Sequence, residues 1–161
     1  MRPADRTSCE YPATVDVPAA GSGVPTTRPS GHFGVVHEWS IESLDGLTTL
    51  RHELGEILGA EGGSDVGLGQ TPEKLVLVAS ELATNALEHG RPPTEVQLRD
   101  DSTTWLLDVA DHDHRTAPEY AGERVPGEGG LGLHLARVLS LEVGWYTTGQ
   151  TKNVWVTFPK A

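Results

Sequence analysis

The stretch from Thr71 to Gly90, TPEKLVLVASELATNALEHG, decides the fold that this sequence predicts. Its start is typical of a helix, because Thr71 is a good N-terminal cap and Pro72 suits the first turn. Apolar residues then recur at three- and four-residue steps and form one stripe: Leu75, Val78, Ala79, Leu82 and Ala86. Gly90 is a suitable end for the helix. We therefore expect a central amphipathic helix whose stripe lies in the core.

Polar residues lie beside this stripe at a helical spacing. Glu81, Asn85 and Glu88 stand at positions i, i+4 and i+7, which sets a carboxylate and a carboxamide about one turn apart. A polar flank of this kind is most often a solvated helix edge. The helix alone therefore leaves open whether this edge is a solvated surface or part of a binding site.

Composition and charge restrict the classes of function. The 161 residues suit a single domain, and the net charge of −11 argues against direct binding of nucleic acid or of an anionic membrane. Cys9 is the single cysteine, which excludes an internal disulfide and fits a reducing compartment. The sequence has neither an apolar run of transmembrane length nor the apolar segment of a signal peptide. We therefore expect a cytoplasmic protein.

The rest of the chain predicts one folded domain behind a tail. Residues 1–31 are rich in Pro, Gly, Ser and Thr and predict a disordered N-terminal tail, which leaves residues 32–161 as the domain. In that domain the patterns predict helices at 43–58 (ended by Gly59), 71–90 and 131–139, and strands at 32–41, 95–99, 104–110, 141–147 and 153–158. The sum is an α/β two-layer sandwich, in which about three helices cover one face of a mixed, largely antiparallel sheet.

Two further segments, one rich in glycine and one rich in polar residues, are candidates for binding. Residues 127–140, GEGGLGLHLARVLS, place glycines before a helix, where backbone N–H groups can approach phosphates. A glycine cluster is also typical of a flexible loop, and no Gly-Lys-Ser/Thr follows as in a Walker loop. The strand WLLDVAD ends at Asp111 and continues as His112-Asp113-His114. This run is compatible with a metal site, although no distant Cys or His cluster supports one.

The three segments occur in an order that resembles the nucleotide-binding boxes of the GHKL ATPase superfamily. ELATNALEHG is similar to the first box, Asp111 to the second and the glycine-rich segment to the third. The resemblance covers roughly residues 35–159, and it is to bacterial anti-sigma-factor serine/threonine kinases. It implies the Bergerat-type ATP-binding fold of histidine-kinase-like ATPases, with ATP and Mg²⁺ as cofactors.

The resemblance also implies roles for residues of the first two boxes. Glu81 would be the general base, and Asn85 would be a ligand of Mg²⁺, an ion that prefers oxygen ligands. His89 also stands at a motif position, where a histidine is more often packed or facing the phosphates than catalytic. Asp111 would accept a hydrogen bond from the adenine amine, which suits a carboxylate because it accepts but does not donate.

The later boxes supply the remaining candidates for nucleotide binding. The phosphate-binding segment comprises Gly129, Gly130, Leu131, Gly132 and Leu133. Thr151, Lys152 and Thr157 lie in the closing strands, where relatives place a polar residue beside adenine, and Thr157 is the candidate that we retain.

Two positions depart from the pattern of the family. Asp113 stands where the pattern has Gly, and Leu131 stands where many relatives have Arg. The resemblance implies an anti-sigma factor that phosphorylates a small antagonist protein and binds a sigma factor when that antagonist is absent. The alternative is a module that binds nucleotide or partner without phosphoryl transfer. Asp113 and Leu131 favour the alternative, whereas Glu81 with Asn85 favours the kinase. The sequence leaves open whether the chain forms a homodimer.

Overall fold

The computed structural model describes residues 24–62, 71–115 and 131–160. Its elements in chain order are β1 (Gly34–Ile41), α1 (Leu44–Gly62), α2 (Thr71–His89), β2 (Thr94–Asp100), β3 (Thr104–Asp111), α3 (Leu131–Leu139), β4 (Glu142–Thr147) and β5 (Lys152–Pro159). The described strands form one sheet and the described helices pack on it, which confirms the predicted α/β sandwich.

The sheet has the strand order β1-β2-β3-β5-β4, and every neighbouring pair of strands is antiparallel. The chain passes from β3 through α3 to β4 at the edge and then returns as β5 between them. The prediction of a mixed sheet is therefore too broad for these five strands. The parallel contact in the described part of the chain is an isolated bridge between Thr26 and Trp145.

The central helix has the predicted position and the predicted buried face. All five residues of the α2 stripe are buried, and α2 packs against α1, α3 and the middle of the sheet. Leu50 and Leu54 of α1 and Leu133 of α3 are fully buried in the same core. The apolar stripe of α2 is therefore the surface around which the helices assemble, because each neighbouring element buries apolar side chains against it.

The alternation of side chains along β3 assigns its residues to two faces. Trp105, Leu107 and Val109 belong to the core under the helices, so Leu106, Asp108 and Ala110 lie on the opposite face. The same alternation puts Asp111 on the helix-covered face. Its partner in the register of β3 and β5 is Lys152, which shares this face because paired residues lie on the same side of a sheet.

The first helix is longer than predicted. It runs to Gly62, whereas the sequence predicted an end at Gly59. Gly59 lies inside the helix, where a glycine costs about 1 kcal/mol relative to alanine. Leu58 is buried just before it, so packing of that turn against the core outweighs the weak local preference.

The packed part of the chain also begins earlier than the predicted domain boundary. Val24 is buried, the Trp145 N–H donates to the Pro25 carbonyl (3.0 Å), and the Thr27 N–H donates to the Trp145 carbonyl (2.8 Å). The Trp155 Nε1–H adds a 2.7 Å bond to the Thr27 carbonyl. The boundary at residue 31 is therefore too late, because residues 24–28 pair through their backbone and need few apolar side chains. The remainder of the predicted tail, residues 1–23, lies outside the described residues.

A polar cluster occupies the face of the sheet that is turned away from the helices. Asp108 accepts hydrogen bonds from the Tyr146 hydroxyl (2.7 Å) and the Asn153 carboxamide (2.7 Å). Burial raises the pKa of the Asp108 carboxyl, although these hydrogen bonds oppose the shift. Burial and the neighbouring Asp108 charge raise the pKa of Tyr146, and the Arg28 guanidinium lies 4.3 Å from the centre of its ring. The cluster thus joins residue 28 to β3, β4 and β5.

The close packing at Gly144 gives a test of this arrangement. A Cβ at this position would lie 2.6 Å from Trp155 Cζ2 and 2.8 Å from Thr27 Cγ2. We expect Gly144→Ala to lower the free energy of unfolding by about 1–3 kcal/mol, because such overpacking forces side chains or backbone to shift. Urea denaturation measures the effect. Gly149→Ala in the same hairpin is the control, since its Cβ would meet no atom within 4 Å. Equal stability of the two variants would contradict the packing described for residues 24–28.

Candidate functional site

The predicted catalytic and metal-binding residues lie on the edge of α2. Glu81 and Asn85 are both half-buried beside the apolar stripe. Asn85 precedes Gly90 by five residues, which is about 7.5 Å along the helix axis, and Glu81 lies about 6 Å further back. His89 is exposed in the last turn, with its Nε2 3.9 Å from Glu88 Oε1. The helix therefore carries a carboxylate, a carboxamide and an imidazole along its C-terminal half.

The turn that carries Glu81 is tied to the first helix. The Arg51 guanidinium donates a 2.7 Å hydrogen bond to the Ser80 hydroxyl, and Ser80 is buried. The Thr84 hydroxyl donates to the Ser80 carbonyl at 2.7 Å. Arg51, to which the sequence assigned no role, therefore joins α1 to α2 next to Glu81.

Asp111 is the last residue of β3 and is 4% exposed. Its Oδ1 accepts the Asp113 backbone N–H at 2.7 Å. A Cβ at Gly90 would lie 2.6 Å from Asp111 Oδ2 and 2.7 Å from the Ala86 carbonyl oxygen. Gly90 therefore permits the end of α2 to meet the Asp111 carboxylate, a function beyond the helix stop that the sequence analysis gave it.

Lys152, rather than the retained candidate Thr157, is the residue of the closing strands that lies beside Asp111. Its Nζ lies 3.6 Å from Asp111 Oδ2, directly across the ladder between β3 and β5. Lys152 is 8% exposed, so both members of this ion pair are buried. A buried carboxylate is costly unless a neighbouring positive charge or donor compensates for it, and Lys152 supplies that charge.

Thr157 lies apart from this pair. It stands opposite Leu106, five residues from the position opposite Asp111, which is about 17 Å along the strand. Because residues 152 and 157 are an odd number of positions apart, the side chain of Thr157 also lies on the other face of the sheet. Its hydroxyl accepts the Glu142 backbone N–H at 3.1 Å. The structure thus separates Thr157 from Asp111, and the residue of β5 beside Asp111 is Lys152.

Thr94 adds an unpartnered polar atom at the same end of the sheet. Its Oγ1 is buried and has no hydrogen-bond partner within the described ranges. The β2–β3 register, continued by one residue, sets Thr94 opposite Asp111, and the His112 N–H still donates to the Arg91 carbonyl beyond it. Thr94, Asp111 and Lys152 therefore form a polar row across the ends of three strands, on the helix-covered face.

The glycine-rich segment is described only from the start of α3. Gly129 and Gly130 lie outside the described residues, as do residues 116–128. Leu131 and Gly132 form the first turn of α3, and only their backbone is described. Leu133 is fully buried in the core, and α3 packs against α2. The side chain of Leu133 therefore serves packing, and phosphate binding by this segment stays a prediction.

The donor and acceptor set fits an adenine nucleotide with Mg²⁺. Asp111 accepts, the unpartnered Thr94 hydroxyl can accept or donate, and the Asn85 carboxamide offers a hard oxygen of the kind that Mg²⁺ binds. No group of three His, Cys, Asp or Glu residues that could hold a metal ion occurs in the described part of the chain. His112 lies against β2, with its Nδ1 3.1 Å from the Pro93 carbonyl.

None of the described helices has the length and apolar character that a membrane crossing requires. The comparison with curated proteins found no match. Among solved structures the chain is similar to the histidine kinase domain from Erythrobacter litoralis EL346 blue-light activated histidine kinase, with 24% sequence identity and a TM-score of 0.43. This similarity covers 71% of the chain and 59% of that structure, so the chain spans less than two thirds of its length.

Residues 42–158, well over half of the chain, match the family described as the histidine kinase-like ATPase domain. The matched range contains α2, the polar row and the start of α3. This agrees with the resemblance seen in the sequence, and the family implies that ATP is bound. The chain therefore belongs to the histidine kinase-like ATPase domain family.

Proposed function

We propose that this protein is an ATP- and Mg²⁺-dependent serine/threonine kinase that acts as an anti-sigma factor on a small antagonist protein. One observation carries the proposal. The buried Asp111 meets Gly90 at the end of the helix that presents Glu81 and Asn85. A base-recognising carboxylate, a metal ligand and a general base thus belong to one rigid pair of elements.

Asp111 is the residue that would select adenine. Its carboxylate accepts hydrogen bonds but donates none, so it pairs with the adenine amine and repels the keto oxygen of guanine. The Asp113 N–H holds one of its oxygens, which fixes the orientation of the carboxylate. Burial strengthens this selection, because an unpaired acceptor is costly away from water.

Asn85 and Glu81 would serve the other end of the nucleotide. When bound, ATP supplies the phosphoryl group and Mg²⁺ offsets the charge on its phosphates. Asn85 would hold the metal through its carboxamide oxygen. Glu81, one turn earlier, would take the proton from the serine or threonine hydroxyl of the antagonist protein. Arg51 and Thr84 position this turn through their bonds to Ser80.

The backbone before α3 would bind the phosphates. N–H groups of residues 129–132 and the positive end of the α3 dipole both favour anions there. His89, exposed in the last turn of α2, would flank the phosphates. Because Leu131 has no charge, these backbone donors would act without the arginine that many relatives carry.

The alternative function is a module that binds nucleotide or partner without phosphoryl transfer. Asp113 favours it, since this half-buried carboxylate stands two residues from Asp111 where the family pattern has Gly. The kinase and a module that binds nucleotide would share the nucleotide site and differ in the action of Glu81, whereas a module that binds only its partner would not use that site. Phosphoryl transfer is therefore the measurement that separates them.

Nucleotide choice tests Asp111. We expect the wild-type protein to bind ATP and ADP, and GTP much more weakly. In Asp111→Asn the carboxamide can turn a donor toward the adenine amine, which should weaken ATP binding by about 1–3 kcal/mol. Isothermal titration calorimetry measures this. Asp100→Asn is the control, because Asp100 also forms an ion pair with a lysine, Lys160, but at the other end of the sheet. Equal affinity for ATP and GTP in the wild type would contradict the assignment.

Magnesium dependence tests Asn85. We expect Asn85→Ala to weaken ATP binding in Mg²⁺ far more than ATP binding in a chelator, because the variant removes a metal ligand and leaves base recognition in place. Titrations under both conditions measure the difference. Glu88→Ala, one turn along and exposed, is the control. A loss of the same size in both conditions would mean that Asn85 is structural.

Phosphoryl transfer tests Glu81. We expect Glu81→Gln to slow transfer to the antagonist about 10²- to 10⁴-fold, the range for losing a general base. Its affinity for ATP should hardly change, because the base acts in the transition state. Labelled ATP and a purified antagonist protein from the same genome provide the assay.

Two results of the transfer assay would change the conclusion. A wild-type protein that binds ATP and a sigma factor but transfers no phosphate to any such antagonist would establish the binding module. Transfer by Glu81→Gln at the wild-type rate would leave the kinase in place and remove Glu81 as its base.

A further inference from the structure

We propose that Lys152 determines nucleobase specificity together with Asp111, by donating a hydrogen bond to the ring nitrogen next to the adenine amine. This inference rests on the proposed function and extends it. It assigns the second half of base recognition to a residue of β5 that the first three boxes do not contain.

The bonding state of Lys152 is the first step. An ammonium group carries three donors, and a buried one needs acceptors as well as a counter-charge. The described residues give Lys152 an ion pair with Asp111 at 3.6 Å, a separation longer than a hydrogen bond. The ion pair thus compensates the charge and leaves donor capacity at a site that is almost closed to solvent.

The bonding state of Asp111 complements it. One carboxylate oxygen accepts the Asp113 N–H at 2.7 Å, and the other faces Lys152. A carboxylate has about four lone-pair positions, so acceptor capacity remains. The two side chains share one face of the sheet as cross-strand partners. Within the described ranges, an acceptor and a donor with bonding capacity to spare therefore stand side by side at the end of β3 and β5.

The edge of adenine presents the matching pair. Its exocyclic amine donates and the adjacent ring nitrogen N1 accepts, whereas guanine has a keto oxygen and an N–H at these positions. When the amine donates to Asp111, the adjacent N1 lies beside Lys152 and accepts a hydrogen bond from its ammonium group. Thr94, on the other side of Asp111, offers its unpartnered hydroxyl to the second proton of the amine.

The experiment compares ATP with 1-deaza-ATP, in which a C–H group replaces N1. We expect the wild-type protein to bind the analogue about 10- to 100-fold more weakly, as for the loss of a hydrogen bond from a charged donor. Lys152→Met should bind ATP with a similar loss and should no longer distinguish ATP from the analogue. Lys160→Met is the matched control, since Lys160 pairs with Asp100 at the opposite end of the sheet. It should distinguish the two ligands as the wild type does.

Each failure has a distinct signature. If the wild type binds ATP and the analogue equally, Lys152 does not donate to N1, while the proposed function stands. If the wild type prefers GTP and Lys152→Met loses that preference, Lys152 pairs with a keto oxygen and the inference is overturned. If the wild type binds no nucleotide, the proposed function fails and the inference with it. The wild-type comparison decides the matter even if Lys152→Met does not fold.

Discussion

The absence of a side chain at residue 90 is the constraint that joins the core to the site. Helix α2 ends where β3 ends, and a Cβ at Gly90 would lie 2.6 Å from the Asp111 carboxylate. A Cβ there would force the Asp111 side chain or the end of α2 to shift. Because the same helix carries the buried stripe from Leu75 to Ala86, a shift of its end would also disturb the core. Packing of α2 and placement of Asp111 are therefore one structural requirement.

The parts of this arrangement that depend on local pattern could be predicted from the sequence. The stripe of α2 and the strand predicted at 104–110 both arise from patterns within a few residues, and each has the expected place. The parts that failed depend on distant partners. Pairing of residues 24–28 with β4 involves strands more than a hundred residues apart. Lys152 and Thr157 look equally suitable in the sequence, and only the register of β5 against β3 separates them.

Two buried aspartates on one strand show what distinguishes a site from a structural cluster. Asp108 and Asp111 are equally buried, yet an odd spacing puts them on opposite faces. Asp108 is bonded by a hydroxyl and a carboxamide, and burial raises the pKa of its carboxyl. Among the described residues, Asp111 has one backbone donor and an ion pair longer than a hydrogen bond. Both aspartates are therefore buried, but within the described residues it is Asp111, on the helix-covered face, that can still accept a hydrogen bond from a ligand.

Charge sets a further requirement on a nucleotide site in this chain. The sequence has 23 acidic residues against 12 Lys and Arg, so the protein as a whole repels a nucleotide. Among the side chains proposed for the site, Lys152 is the one permanent cation, and Asp111 already pairs with it. Leu131 supplies no charge. In the proposed function the phosphates must then be neutralised by Mg²⁺ and by backbone N–H groups at the start of α3. An acidic protein with this site would thus bind its nucleotide more tightly as the metal complex, which makes the oxygen of Asn85 more important here than where an arginine shares the task.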